Sequence, residues 1–394
     1  MSSPAGGGSG AVPPDVALFV ASLLIGGAER TAVVTANGLL AAGLTVDLVV
    51  PGGDGGAAGP LAAEIAPGVG LVDLGAPRTA AALPALAAYL RRRRPRVLVS
   101  YVTHANLVAL AAARLARATP VVVVEVSTLQ RIVAQSDLAR DRLLPPLVRR
   151  LYPSAAAVVA NSQGVADDLA VTCPRLAGRI EVLPLPVVQA RLWRDAAAEA
   201  GDEWFAPGRP PVVVAVARLV PEKDLGILLA AVARLRAAGR DVRLLVVGEG
   251  PERSRLEAEA ARLGLVLGVD VRFPGADPNP FRFMARAAVV ALSSQVEGLP
   301  SVLVEALALG VPVVATDCPS GPQELLAGGR FGHLVPVGDP AALAAALEDV
   351  LDHAPPPAPR EAWGRYEAEQ ATGALHDLLR KVWRDEATSR HSRS

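Results

Sequence analysis

Short runs of β-branched and aliphatic residues alternate with alanine- and leucine-rich stretches along nearly the whole chain. That rhythm constrains the fold more than any other feature, because it signals parallel α/β architecture. In the first half, strand-like runs fall at 16–22, 45–50, 97–101, 120–125 and 156–160. Helical stretches fill the gaps, notably at 28–42, 81–94 and 107–117. A break rich in proline, glycine and charge follows at 183–211 and includes Trp193 and Trp204. The rhythm then restarts. Strands are expected at 212–217, 242–247, 271–273, 289–293 and 312–315, with helices at 224–238, 252–263 and 340–351 and another opened by Pro300. Two successive doubly wound, Rossmann-like domains follow from this, at residues 15–187 and 188–360. The first fourteen residues read as a disordered lead-in, and 386–394 as a disordered polar tail.

Length agrees with this division, since 394 residues at roughly 100–200 per domain allow two. The 39 basic and 39 acidic residues cancel, which argues against a nucleic-acid partner. Two cysteines cannot supply a disulfide framework or a four-ligand zinc site, and the five histidines show no ligand spacing, so no metal is expected. The apolar run 16–25 falls far short of the roughly 20 residues that span a bilayer. A soluble, cytoplasmic chain is expected. Lysine occurs only at Lys223 and Lys381, every other cation in the chain being arginine. A GC-rich genome accounts for that scarcity, but a retained lysine is worth following.

Ligands of open α/β sheets bind outside the carboxyl ends of the strands. Beyond the strand 212–217 stand Arg218 and Lys223. Beyond 289–293 come Glu297 and then Gly298, Leu299 and Pro300 at a helix start, with Glu305 further along that helix. Arginine offers a bidentate fork and lysine a point charge, which together neutralise a diphosphate. A helix N-terminus binds phosphate or polar oxygen, and carboxylates accept from sugar hydroxyls. A nucleotide diphosphate-sugar carries all of these groups.

The same stretches carry a family resemblance. EGLPSVLVE has the E-x7-E motif of retaining glycosyltransferases, and VARLVPEKDLGILLAAVARL resembles the segment holding their phosphate-binding Arg and Lys. SLLIGGAERTAVVTANGLLAAGLTVDLVV resembles their glycine-loop opening, and TDCPSGPQELL with GHLVPVGDPAALAAAL their closing segment. The chain resembles glycosyltransferase family 4 over about residues 16–352.

That resemblance implies a GT-B fold, two Rossmann-like domains facing a central cleft, with a C-terminal helix, 361–385, packing back on the first domain. It implies metal-independent transfer with retention, from a UDP- or GDP-sugar to a saccharide or lipid-linked acceptor, in bacterial surface glycan synthesis. No cofactor is implied, and D-x-D occurs nowhere. Carried onto this chain, Arg218, Lys223 and Glu297 are the catalytic set. Gly26, Gly27, Gly298, Leu299, Pro300 and Glu305 join them in binding the donor. The acceptor side departs from the pattern, with Glu125-Val126 where relatives often have Glu-His. His104 and Asn106 are the acceptor-side candidates there.

Two arginine clusters are compatible with peripheral contact with an anionic membrane at the inner face of the cell. One is 91–94 with Arg96, which also suits a helix C-terminus. The other is Arg140, Arg142, Arg149 and Arg150 among leucines, interrupted by Pro145 and Pro146. The competing reading is a non-catalytic sugar-nucleotide or glycan binder on the same fold. A pyridoxal-dependent phosphorylase would need a Schiff-base lysine, for which only Lys381 remains.

Overall fold

The structure is a computed structural model that describes residues 12–24, 26–53, 56–117, 119–134 and 139–391. It separates into two compact units. The first comprises Met1–Ala160, Leu169–Glu181 and Thr372–Ser394, the second Asn161–Asp168 and Val182–Ala371.

The first unit is built on β1 (Val16–Phe19), β2 (Val46–Val50), β3 (Gly70–Asp73), β4 (Val97–Tyr101), β5 (Val121–Glu125), β6 (Ala157–Ala160) and β7 (Ile180–Val182). Their order is β3-β2-β1-β4-β5-β6-β7. The second holds β8 (Val212–Val216), β9 (Arg243–Val247), β10 (Val271–Gly275), β11 (Val289–Leu292), β12 (Val313–Thr316) and β13 (His333–Val335). Their order is β10-β9-β8-β11-β12-β13. Pairing is parallel from β1 to β2 and β4, and from β8 to β9 and β11. Every residue of β1, β2, β4 and β5 is buried, as strands covered by helices on both faces must be. Both sheets are therefore doubly wound, as the rhythm predicts.

Five strands are predicted in each half, whereas the sheets have seven and six. The three missing from the sequence reading, β3, β7 and β13, are all edge strands. An edge strand is shorter and half-exposed, so it lacks the continuous apolar run that marks a central one. β3 alternates half-buried with exposed positions, and β7 is just three residues long. The first strand is also shorter than expected, ending at Phe19 rather than Ser22.

Within the break at 183–211 the chain forms the helix Arg191–Ala196 and buries Trp204. The guanidinium of Arg272 stacks 4.2 Å from the Trp204 ring centroid, with Arg243 at 5.1 Å. Asp202 of the segment pairs with the same Arg272 at 2.8 Å, so its charge serves packing. The polar tail, expected to be disordered after Asp385, continues the helix Ala368–His391. Helix propagation past a packed stretch adds one hydrogen bond per residue, which polar residues do not prevent. Most of the lead-in lies outside the described residues; 12–14 form no regular element.

The unit boundaries differ from 187/188 and 360/361. Val187 and Val188 donate backbone N–H bonds to Tyr366 O, and Ala368 N donates to Val188 O. The outgoing and returning segments therefore pair within the second unit. The chain rejoins the first at Thr372, so the later part of the C-terminal helix belongs there. Lys381 on that helix pairs with Glu181 at 3.2 Å, a surface contact.

Candidate functional site

In the second sheet, β8 and β11 are neighbours, yet β9 and β10 continue to one side and β12 and β13 to the other. The loops leaving β8 and β11 thus diverge, and a crevice opens at that switch point. Arg218 and Lys223 follow β8, and Glu297 follows β11.

The loop after β8 is held from both sides. Leu219 N donates to Glu249 O at 2.9 Å, and Glu252 N to Leu219 O at 3.0 Å. A Cβ at Gly248 would collide with Ala217 O, and one at Gly250 with Leu219 O, so these glycines permit the backbones to meet. Gly248 to Gly250 is thus a strand-to-helix connection that braces Arg218. On the other side, Ser293 Oγ donates to Lys223 O at 2.8 Å, and Gln295 N to Glu222 O at 2.9 Å. Gln295 also donates to Asp224, which takes a left-handed φ of 43° to start the next helix.

These braces bring Lys223 Nζ to 2.5 Å from Glu297 Oε1. Both side chains are largely buried, at 16% and 8% exposure. Ser294 Oγ donates to the same Oε1 at 2.7 Å. Glu297 Oε2 accepts no hydrogen bond among the described residues. Arg218 differs: its side chain is 71% exposed and lies 3.5 Å from Glu222, leaving its guanidinium open to solvent. Lys223 and Glu297 are thus paired, whereas Arg218, earlier on the same loop, contacts Glu222 and is largely exposed.

Gly298 and Pro300 are buried and Leu299 half-buried. They lead into the helix Ser301–Ala308, whose N-terminus no side chain caps. Gly321 lies against this turn, where a Cβ would strike Gly298 O and Pro300. Glu305 is half-buried on the same helix. Cys318 is buried near the pair, and burial first, then the Glu297 carboxylate, pushes its thiol up to about 12. Ser293, Ser294, Gln295 and Cys318 escaped the sequence reading. The one available signal was the hydroxyl pair between a strand end and the motif carboxylate.

In the first unit the switch point lies between β1 and β4. Gly26 precedes the helix Gly27–Ala41 that follows β1 and caps it without a side chain. A Cβ at Gly27 would meet nothing within 4 Å, so packing does not demand glycine there. His104 and Asn106 follow β4, on the helix Thr103–Ala116. Val102, just before it, has a φ of 73°, a strained value for a β-branched residue. His104 is 43% exposed, and its Nε2 lies 3.1 Å from Asp141 Oδ1.

Asn106 is corrected by the structure. It is fully buried and so cannot face an acceptor. Its Nδ2 donates to Val124 O and to Glu125 Oε1, both at 3.1 Å. Glu125, itself 4% exposed, also accepts from Thr103 Oγ1 at 2.9 Å and from the Tyr152 hydroxyl. Burial first, and then the Glu125 carboxylate, raise the Tyr152 phenol well above its ordinary value. This network closes the end of β5.

The first arginine cluster is built into the fold. Arg93 pairs with the buried Asp47 at 3.3 Å, Arg91 donates to Leu115 O, and Arg96 pairs with Asp15 and stacks on Trp383. Arg91, Arg92 and Arg93 lie in the last turn of the helix Leu83–Arg93, where cations suit the dipole. In the second cluster, Pro145 and Pro146 begin the helix Leu144–Leu151 instead of interrupting it, since first-turn N–H groups need no partner. Leu144 and Val148 face inward. Leu143 and Leu147 are 59% and 41% exposed beside exposed Arg142 and Arg150. The Arg140 side chain lies outside the described residues. Among the described residues, no helix is long and apolar enough to cross a membrane, and no group of three or more His, Cys, Asp or Glu could hold a metal ion.

Comparison with known proteins matches both halves in order. The glycosyltransferase family 4 profile covers residues 25–191, and that of glycosyl transferases group 1 covers residues 198–370. An N-acetylgalactosamine-N,N'-diacetylbacillosaminyl-diphospho-undecaprenol 4-alpha-N-acetylgalactosaminyltransferase of Campylobacter jejuni is 30% identical over 206 residues, 52% of this chain and 53% of that protein. A GDP-mannose-dependent alpha-(1-6)-phosphatidylinositol monomannoside mannosyltransferase of Mycolicibacterium smegmatis is 36% identical over 181 residues, 44% of this chain and 47% of that protein. The chain spans about half the length of these relatives. In fold it is similar to HepE of Anabaena, solved with UDP-glucose, at a TM-score of 0.70 and 22% identity over 96% of this chain and 99% of that one. Two parallel-strand Rossmann-like sheets of the GT-B type underlie both matched halves, the first similar to glycosyltransferase family 4 and the second to glycosyl transferases group 1.

Proposed function

We propose that this chain is a retaining, metal-independent glycosyltransferase that moves a sugar from a nucleotide diphosphate-sugar to a saccharide or lipid-linked saccharide, in bacterial surface glycan synthesis. The observation that carries this reading is the assembly of Lys223, Glu297, the exposed Arg218 and an uncapped helix N-terminus around one switch point. Arg218, Lys223 and the helix amides bind the diphosphate and stabilise the charge growing on it as the glycosidic C–O bond breaks. That is the electrostatic task a metal serves elsewhere. Oε2 of Glu297 accepts from a sugar hydroxyl, Glu305 from the ribose, and Gly26 and Gly27 allow close approach to phosphate. The acceptor oxygen attacks from the leaving-group face, its proton passing to a phosphate oxygen of the departing nucleotide. His104 lies on the acceptor side.

Purified protein with EDTA present is expected to transfer from a member of a UDP- and GDP-sugar panel. Lys223→Ala and Glu297→Ala are each expected to lower that rate ~100- to 1,000-fold, on the order of 2.7–4 kcal/mol. Equal activity in both folded variants would overturn the site assignment, and donor binding without transfer to any acceptor would favour the non-catalytic binder.

The protein works in the cytoplasm in peripheral contact with the membrane, through exposed Leu143 and Leu147 and the arginines beside them. Vesicles containing phosphatidylglycerol are expected to sediment the chain, and Leu147→Glu with Arg150→Glu to abolish this. Sedimentation unchanged by the double substitution would reject this surface.

A further inference from the structure

Ser294 is fully buried, and its hydroxyl donates to the Glu297 oxygen that also receives Lys223. Its own backbone is fixed, because Thr316 Oγ1, equally buried, donates to Ser294 O at 2.5 Å. Glu297 therefore has two donors of different kinds on one oxygen. Lys223 is a flexible ammonium with three N–H groups on a four-carbon stem; Ser294 is a short hydroxyl two residues beyond the end of β11. If the donor-site reading above holds, a diphosphate competes with Glu297 for that ammonium. A carboxylate at 8% exposure that lost its only partner would bear a desolvation cost.

We propose that Ser294 is a positioning residue: it keeps Glu297 partnered and in place when a donor diphosphate draws Lys223 away. The exchange then strands no buried charge, and Oε2 stays where a sugar hydroxyl can reach it. Ser293, adjacent in sequence, has a separate task, because its hydroxyl holds the Lys223 carbonyl and not the carboxylate. Two consecutive serines thus serve the two members of the pair.

The test is a double-mutant cycle read by calorimetric binding of UDP, GDP, UDP-glucose and GDP-mannose. Ser294→Ala is expected to weaken the tightest of these about tenfold, ~1.4 kcal/mol. In a Glu297→Ala background the same substitution is expected to change binding less than about twofold, since nothing is left to keep partnered. Ser293→Ala is expected to weaken binding in both backgrounds. Equal factors for Ser294→Ala in the two backgrounds, or no effect in the native chain, would overturn the proposal and leave the donor site standing. Binding of none of the four ligands by the native chain would bring down both. Thermal unfolding without ligand checks each variant, and Ser294→Cys, close in volume but a weak donor, replaces any alanine variant that fails to fold.

Discussion

The two sheets each place a carboxylate at the end of a strand beside the switch region, and they use it in opposite ways. At the end of β5, Glu125 accepts from Thr103, Asn106 and Tyr152, all neutral donors and all buried. Beyond β11, Glu297 accepts from one hydroxyl and one ammonium, both on a single oxygen. These three donors of the first carboxylate cannot leave it without disrupting the core. The second is held by a flexible cation and retains an unused oxygen. Spare hydrogen-bonding capacity and a mobile partner distinguish a site from a scaffold here, even though both carboxylates are equally hidden.

The largest test of that contrast substitutes both. Glu125→Ala strands three buried donors and is expected to destabilise the first unit by at least about 3 kcal/mol. Glu297→Ala is expected to cost the second unit only about 1 kcal/mol, because Lys223 can extend to water. Urea unfolding followed by circular dichroism reads both values. Similar losses in the two variants would erase the distinction.

A smaller effect sharpens it through pH. Burial and Glu125 raise the Tyr152 phenol in the folded chain, so the folded state keeps a proton that an unfolded tyrosine releases near 10. Its contribution to stability is complete below that value and is lost as pH rises through and above it, the unfolded chain then binding fewer protons. Tyr152→Phe is expected to flatten the fall in unfolding temperature between about pH 9.5 and 11.5. An unchanged slope would place the alkaline sensitivity elsewhere, Tyr89, Tyr101 and Tyr366 being the other buried phenols raised in the same direction.

Much of this was legible from residues alone. Central strands announce themselves because burial on both faces demands continuous apolar runs, and all nine of them are read from the sequence, together with one edge strand, β10. The other three edge strands, β3, β7 and β13, lack that continuous run and are not read from it. Lys223 was singled out by its rarity, and the structure places it against Glu297, 74 positions away. Asn106 was misread for the converse reason. An asparagine just beyond a strand end looks the same whether it faces solvent or, as here, bonds inward to Val124 and Glu125.

The order of elements, the doubly wound class, and the residues that follow each strand were determined by the sequence itself, because period and burial are local signals. Only the tertiary structure decided which strands became neighbours, and therefore which loops diverge to open a crevice. It also decided which polar groups were spent. Ser294 meets its partner three residues away, but Glu125 meets Tyr152 across 27 residues, and Ser293 meets Lys223 across 70. Hydrogen-bond satisfaction belongs to such distant pairs, so no local pattern can report whether a carboxylate is a strut or a binding group.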